Sequence, residues 1–182
     1  MKVLKFGGSS VANAENIQKV VAIIKANSEP QIVVVSALGG VTDLLIKAGT
    51  LAEQSDEIYK EVLQQLEATH LDTARALLPV THQSSCLSMI KQHFNELDEI
   101  CNSIFYLKEL SLRTKDRVIS FGELLSSKII SAYIFASSLF SISIFSWCSE
   151  SCMLVSGFLT SCAMPRAILP VIASFSERTS SS

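Results

Sequence analysis

The hydrophobic period of the chain changes twice within its first 35 residues. Residues 2 to 6 (Lys-Val-Leu-Lys-Phe) alternate as a strand does, and Ile17, Val20, Val21 and Ile24 then recur at helical spacing. Ile32-Val33-Val34-Val35 follows as an unbroken β-branched run, of the kind buried on both faces of a parallel sheet. Strand, helix and strand in so short a span is a βαβ unit, which commits the chain to an α/β fold. Asn13 is placed to cap the helix, and Asn27-Ser28-Glu29-Pro30 to end it.

Each strand runs into a glycine-bearing loop. The first reads Lys5-Phe6-Gly7-Gly8-Ser9-Ser10 and leads into the helix. Bare backbone N–H groups converge in such a loop, the helix dipole favours an anion, and glycine lets a ligand approach the chain closely. Lys5 adds a formal positive charge. These residues suit a phosphate, although a glycine pair also makes ordinary strand-to-helix turns. The second loop reads Ser36-Ala37-Leu38-Gly39-Gly40-Val41-Thr42-Asp43. Ligand crevices in open α/β sheets lie at the carboxyl ends of strands, so two loops on adjacent strands face one crevice. The chain contains neither GxxxxGK[ST] nor GxGxxG, which argues against a P-loop kinase and a dinucleotide fold.

The 182 residues suffice for one domain with a sizeable core, or for one domain and an appendage. A net charge of −2 without a basic run gives no electrostatic case for nucleic acid. The five cysteines are odd in number and form no CxxC pair, so neither a disulfide framework nor a zinc site is expected. Cys148 and Cys152 stand four apart, but no histidine lies near them to complete a metal site. Met1 to Phe6 lack the long apolar stretch of a signal peptide, and a cytoplasmic location is expected.

From about residue 43 to 111 the pattern is helical. Leu87, Ile90, Phe94, Leu97, Cys101 and Ile104 step by 3, 4, 3, 4 and 3, describing one long amphipathic helix. Ile58, Val62 and Leu66 offer an antiparallel partner stripe. These long helices could instead form a homo-oligomer surface or a lid. His70, His82 and His93 sit among polar residues and read as solvated. Residues 111 to 128 (Ser-Leu-Arg-Thr-Lys-Asp-Arg-Val-Ile-Ser-Phe-Gly-Glu-Leu-Leu-Ser-Ser-Lys) are dense in charges and hydroxyls, with Gly122 inside a helical pattern. Such a glycine marks either a close approach by another group or an incidental position on a solvated helix. Taken alone, the solvated helix is the simpler reading.

Together, KFGGSSVAN at 5 to 13, VVVSALGGVTD at 33 to 43 and LSLRTKDRVISFGELLSSK at 110 to 128 resemble the amino-terminal part of an aspartate kinase. This family belongs to the amino acid kinase superfamily. KFGGSS alone also fits relatives such as acetylglutamate kinase and UMP kinase; the second and third segments are more specific. The resemblance covers about residues 1 to 135. It is shared by monofunctional aspartokinases and by those fused to homoserine dehydrogenase. It implies a three-layer α/β fold with a largely parallel sheet and helices on both faces, incomplete on its C-terminal side. It also implies transfer of the ATP γ-phosphate to the side-chain carboxylate of L-aspartate, an early step in lysine, threonine and methionine biosynthesis. Lys5, Gly7, Gly8 and Ser9 would lie against the transferring phosphate, with Lys5 as the catalytic cation. Ser36 would approach the phosphates, and Thr42 and Glu123 would hold aspartate. Magnesium would arrive with ATP as Mg-ATP, with no metal site of the protein's own.

After about Ala136 the family pattern stops, and a segment resembling TxGRGGSDxTA is missing. Residues 137 to 182 are serine-rich, nearly free of charge, and hold Cys148, Cys152 and Cys162. This junction divides the chain into an N-terminal kinase portion, 1 to 136, and an atypical tail, 137 to 182, ascribed to a frame change or truncation. A chain so built is expected to turn over little or no ATP. Ile129 to Ser149 form a charge-free stretch of bilayer-spanning length, but Ser131, Ser137, Ser138, Ser141, Ser143 and Ser146 dilute it. A membrane anchor is therefore not favoured. The alternative is a non-catalytic or membrane-tethered fragment that binds aspartate or pairs with an intact kinase.

Overall fold

The computed structural model describes residues 2–27 and 29–137, together with the backbone of residues 143–146. Strand β1 (Lys2–Phe6) pairs in parallel with β2 (Gln31–Val35), Val3 against Ile32 through Phe6 against Val35. Helix α1 (Ala14–Lys25) joins them. It starts where expected, because the Asn13 side chain accepts the backbone N–H of Asn16 at 2.9 Å. Its buried stripe is Ile17, Val20, Val21 and Ile24. A third strand, β3 (Ser143–Ser146), pairs in parallel on the other side of β2, giving the order β1-β2-β3.

The register sorts the sheet residues by face. Leu4, Phe6, Val33 and Val35 share one side, where Val33 and Val35 are buried. Val3 and Lys5 are exposed on the other, beside half-buried Ile32 and Val34. The β-branched run is thus fully covered on alternate residues only, where two-sided burial was expected.

Four further helices follow: α2 (Val41–Glu53), α3 (Ile58–Leu77), α4 (Val80–Leu107) and α5 (Leu112–Ser137). The 28 residues of α4 make a rod of about 42 Å. Ile90, Phe94, Leu97, Cys101 and Ile104 form its buried edge as the spacing predicted, with Leu87 half-buried. Helix α3 lies antiparallel on it: Tyr59 meets Phe105, and His70 meets Phe94. The α3 stripe runs through Tyr59, Val62, Leu63, Leu66, His70, Ala74 and Leu77. Ile58, expected in that stripe, is 48% exposed, and Tyr59 takes its place in the core. Cys86 and Cys101 are buried free thiols, pushed up to about 11 and about 12 by desolvation. Cys148, Cys152 and Cys162 lie outside the described residues.

Helix α5 overturns the solvated reading of residues 111–128. Val118, Phe121, Gly122, Leu125, Ser126, Ser127, Ile129, Ile130 and Ile134 are all buried, against α2, α4 and β2. A Cβ at Gly122 would stand 2.9 Å from the Ala37 Cβ and 3.3 Å from both Leu45 and Val41. The glycine is there because the helix backbone presses on the loop after β2. By length and hydropathy α5 is able to cross a membrane, yet half of that apolar window is buried within the fold. Its last residues, 129–137, are the start of the charge-free stretch noted above; residues 138–149 are undescribed apart from the β3 backbone.

The histidines also correct the sequence reading. His82 is exposed, but His70 is wholly buried and the His93 side chain is only 18% exposed. His70 falls four residues after Leu66 and four before Ala74, so helical geometry turns it inward despite polar sequence neighbours. Its Nδ1 lies 2.7 Å from the Leu66 carbonyl, which assigns the proton to Nδ1. Nε2 then remains an acceptor without a partner among the described residues.

Two outcomes follow from this packing. Gly122→Ala gains about 1 kcal/mol of helix propensity but incurs about 1–3 kcal/mol of overpacking. A net loss of about 1 kcal/mol should appear as a lower urea midpoint, whereas Gly7→Ala, with nothing within 4 Å of its Cβ position, leaves the midpoint in place. Burial lowers the His70 pKa from 6.5, opposed by the Leu66 hydrogen bond. The fold therefore prefers neutral His70, while the unfolded chain protonates near 6.5. Its contribution is complete above that pH and is lost on acidification, by up to about 1.4 kcal/mol per pH unit. Urea titrations from pH 7.5 to 5.5 should show a steeper decline for wild type than for His70→Leu.

Candidate phosphate and aspartate site

The chain leaves β1 through Gly7, which is extended (φ −75°, ψ 173°), into one 3-10 turn, Gly8–Val11. The Ser10 N–H donates to the Gly7 carbonyl at 2.9 Å, closing the turn, and the Asn16 amide donates to the Ser9 carbonyl at 3.0 Å. The first loop thus opens onto a short 3-10 segment, and the α-helix proper begins only at Ala14. Backbone N–H groups, more than the α1 dipole, are what this loop offers an anion.

The second loop is folded against the first. The Ser36 N–H donates to the Phe6 carbonyl at 3.1 Å, and the Gly39 N–H to the Ala12 carbonyl at 3.3 Å. A Cβ on Gly39 would come within 2.9 Å of the Ala12 Cβ, so only glycine permits this approach. Gly40 takes a left-handed turn (φ 74°) and caps α2, placing Thr42 in the first turn of that helix. Gly8 faces the same junction: its Cβ position is 3.7 Å from the Ala37 carbonyl oxygen and 3.9 Å from Ser36 Oγ.

Helix α5 closes the junction from behind. Gly122 sits on Ala37 and Val41, and Ser126 Oγ donates to the Ser36 carbonyl at 2.7 Å. Val41 and Gly122 are in contact, and Thr42 and Glu123 are the residues that follow each of them. Glu123 is half-buried, and its Oε2 is sealed from solvent without a hydrogen-bond partner among the described residues. Burial raises its pKa, opposed by a hydrogen bond from its own backbone N–H. A carboxylate held this way is prepared for a cation to arrive.

The structure thus brings Gly8 and Ser36 into one junction and anchors the turn bearing Glu123 onto it. Lys5 is exposed on β1 opposite Val34, with no ion pair among the described residues, and Gly7 and Ser9 are exposed on the loop. The residues that sequence reasoning did not single out are Ala12, Ala37 and Ser126. Ser126 had one available signal: it lies one turn after Gly122, on the same side of the helix.

Comparisons with known proteins identify the family and the fold. The model of the amino acid kinase family matches residues 1–175. The chain is 37% identical over 136 residues to aspartokinase 2, chloroplastic, of Arabidopsis thaliana, covering 72% of this chain and 24% of that protein. It is 34% identical over 133 residues to bifunctional aspartokinase/homoserine dehydrogenase 1, chloroplastic, of the same plant, covering 72% and 15%. The aspartokinase of Chlamydia pneumoniae is 36% identical over 135 residues, covering 71% and 26%. The chain spans about a quarter of the length of these aspartokinases. In fold it matches E. coli aspartokinase III in complex with aspartate and ADP, with a TM-score of 0.66 at 22% identity over 75% of this chain and 29% of that one. The chain belongs to the amino acid kinase family, and within that family it is similar to the aspartokinases.

Proposed function

We propose that this chain carries the phosphate- and aspartate-holding part of an aspartate kinase, the enzyme that moves the γ-phosphate of Mg-ATP onto the side-chain carboxylate of L-aspartate. The observation that carries this reading is the single junction in which Gly8, Ser36 and the Glu123 turn of α5 meet at the ends of two parallel strands. Similarity to curated aspartokinases supports it.

The chemistry suits these groups. A carboxylate is already a nucleophile, so no general base is needed, and catalysis reduces to alignment and charge neutralisation. Lys5 and the backbone N–H groups of Gly7, Gly8 and Ser9 supply positive potential where charge builds on the transferring phosphoryl oxygens. The Ser36 hydroxyl is a further donor on the same side. Thr42 and Glu123 hold aspartate, the Glu123 carboxylate pairing with the substrate α-ammonium. That pairing gives Oε2 the partner it otherwise lacks. It also keeps the anionic side chain away from the phosphates. The parts of this site lie within residues 5–123, in the N-terminal portion 1–136.

On this reading the chain holds half a site: it binds L-aspartate weakly and turns over little ATP. Hydroxylamine trapping should find aspartyl phosphate at or near background, while calorimetry detects L-aspartate binding that Thr42→Val weakens. Vigorous turnover by the isolated chain would contradict the half-site reading, and an absence of aspartate binding would contradict the function itself.

Glu123→Gln separates stability from function. The burial that raises the Glu123 pKa above 4.5 makes its ionised form a cost to the fold. The variant should therefore have the higher urea midpoint at pH 8, and its advantage should shrink as the pH falls towards 4.5 and wild type protonates. The same substitution should abolish measurable aspartate binding. A lower midpoint at pH 8 would mean that Glu123 has a favourable partner in the free protein.

A further inference from the structure

Ser126 lies one helical turn beyond Glu123 and is completely buried. Its hydroxyl is 2.7 Å from the Ser36 carbonyl and 3.1 Å from the Glu123 carbonyl. A hydroxyl has one proton, and the shorter distance assigns it to Ser36, across 90 residues of sequence. The Ser36 N–H is meanwhile committed to Phe6, at the end of β1. Ser36 is therefore held at both ends of its own backbone, by β1 through its N–H and by α5 through its carbonyl.

We propose that Ser126 is a positioning residue that fixes the turn of α5 bearing Glu123 to the phosphate-facing loop after β2, so that the two halves of the site keep one geometry. The inference rests on the aspartate kinase reading given above. It goes further by naming the link through which placement of the amino acid and of the phosphate are coupled. Gly122 and Ser126 divide the task. The glycine lets the helix come close, but a small-on-small contact with Ala37 permits sliding along the helix axis. A hydrogen bond is directional and sets the axial position. Ser36 is half-buried, and its carbonyl loses its Ser126 donor when the hydroxyl is removed, so the loss disturbs the loop and not only the helix.

The neighbouring residue provides an internal control. Ser127 is equally buried, but its hydroxyl donates to the Leu124 carbonyl at 2.9 Å, inside the same helix. Removing either hydroxyl deletes one buried hydrogen bond; only Ser126 spans the junction.

The experiment compares wild type, Ser126→Ala, Ser126→Cys and Ser127→Ala in the full 182-residue chain. Three readouts are taken: the carbon-13 titration of the Glu123 carboxyl, amide exchange at Ala37 to Gly39, and the Kd for L-aspartate. For Ser126→Ala the Glu123 midpoint should fall towards the ordinary carboxylate value as the freed turn admits water. Exchange in the loop should quicken, and aspartate binding should weaken by about five- to tenfold. Ser126→Cys, close in shape but a weaker donor, should fall between. Ser127→Ala should stay within about twofold of wild type on all three. Equal effects of the two alanine variants, or an unmoved titration and exchange in Ser126→Ala, would overturn the proposal. If wild type fails to bind aspartate, the kinase reading falls, and the titration and exchange still decide whether the link exists.

Discussion

The contact of Gly122 with Ala37 is the constraint on which the rest of the site depends. Helix α5 reaches the loop after β2 only because neither residue carries more than a methyl group at the crossing. From that approach follow the Ser126 hydrogen bond, the placement of Glu123 beside the strand ends, and the enclosure of Val41 and Leu45 by α5. A side chain one carbon larger at position 122 would press on Ala37, Leu45 and Val41 and strain the Ser126 hydrogen bond to Ser36. The packing of α5 and the geometry of the candidate site are one interaction viewed from two sides.

A second close approach, Gly39 on Ala12, performs the same service for the two loops. Both contacts put small residues where backbone must meet backbone, and both lie at the carboxyl ends of the parallel strands. Elsewhere the chain uses ordinary means. Leucine, isoleucine and aromatic stripes join α3 to α4, and a capping asparagine starts α1. Gly8, Gly39, Gly40 and Gly122 thus gather around the two loops at the strand ends, while Gly49 packs α2 against Leu110 and Val118.

How much of this could be read in the sequence depends on the range over which each feature is decided. The α1 stripe, the Asn13 cap and the 87–104 edge are set by neighbours within one or two turns, and the residue spacing carried them. The parallel pairing of β1 and β2 followed from the βαβ pattern. His70 was decidable in principle, since it continues the stripe of Leu63, Leu66 and Ala74; its polar neighbours drew attention from that spacing. Gly122 and Ser126 were not decidable locally. What they touch in other elements lies 77 or more residues away, and a local window sees only a charged, hydroxyl-rich helix with a glycine in it. Lys5 and the first glycine loop were legible from residue chemistry as an anion site, while the roles of Ser36, Thr42 and Glu123 came from resemblance of short motifs. The structure adds what links Gly8, Ser36 and the Glu123 turn: the Ala12, Ala37 and Ser126 contacts, which no motif spells out.

The unpartnered Oε2 of Glu123 gives the arrangement a direction. A half-buried carboxylate with one oxygen lacking a donor among the described residues lowers the stability of the free protein, and the fold retains it although a glutamine would fit the same space. Oε2 is sealed from solvent while the residue as a whole is half-buried, an environment that a cation would complete. Held by the rigid Ser126 link, it cannot relax towards solvent to find another donor. Under the proposed function, an arriving substrate ammonium would supply the missing partner of Oε2, and the Ser126 link would tie that placement to the loop after β2. On the proposed reading, one turn of helix would then set both the placement of the acceptor and its alignment with the donor.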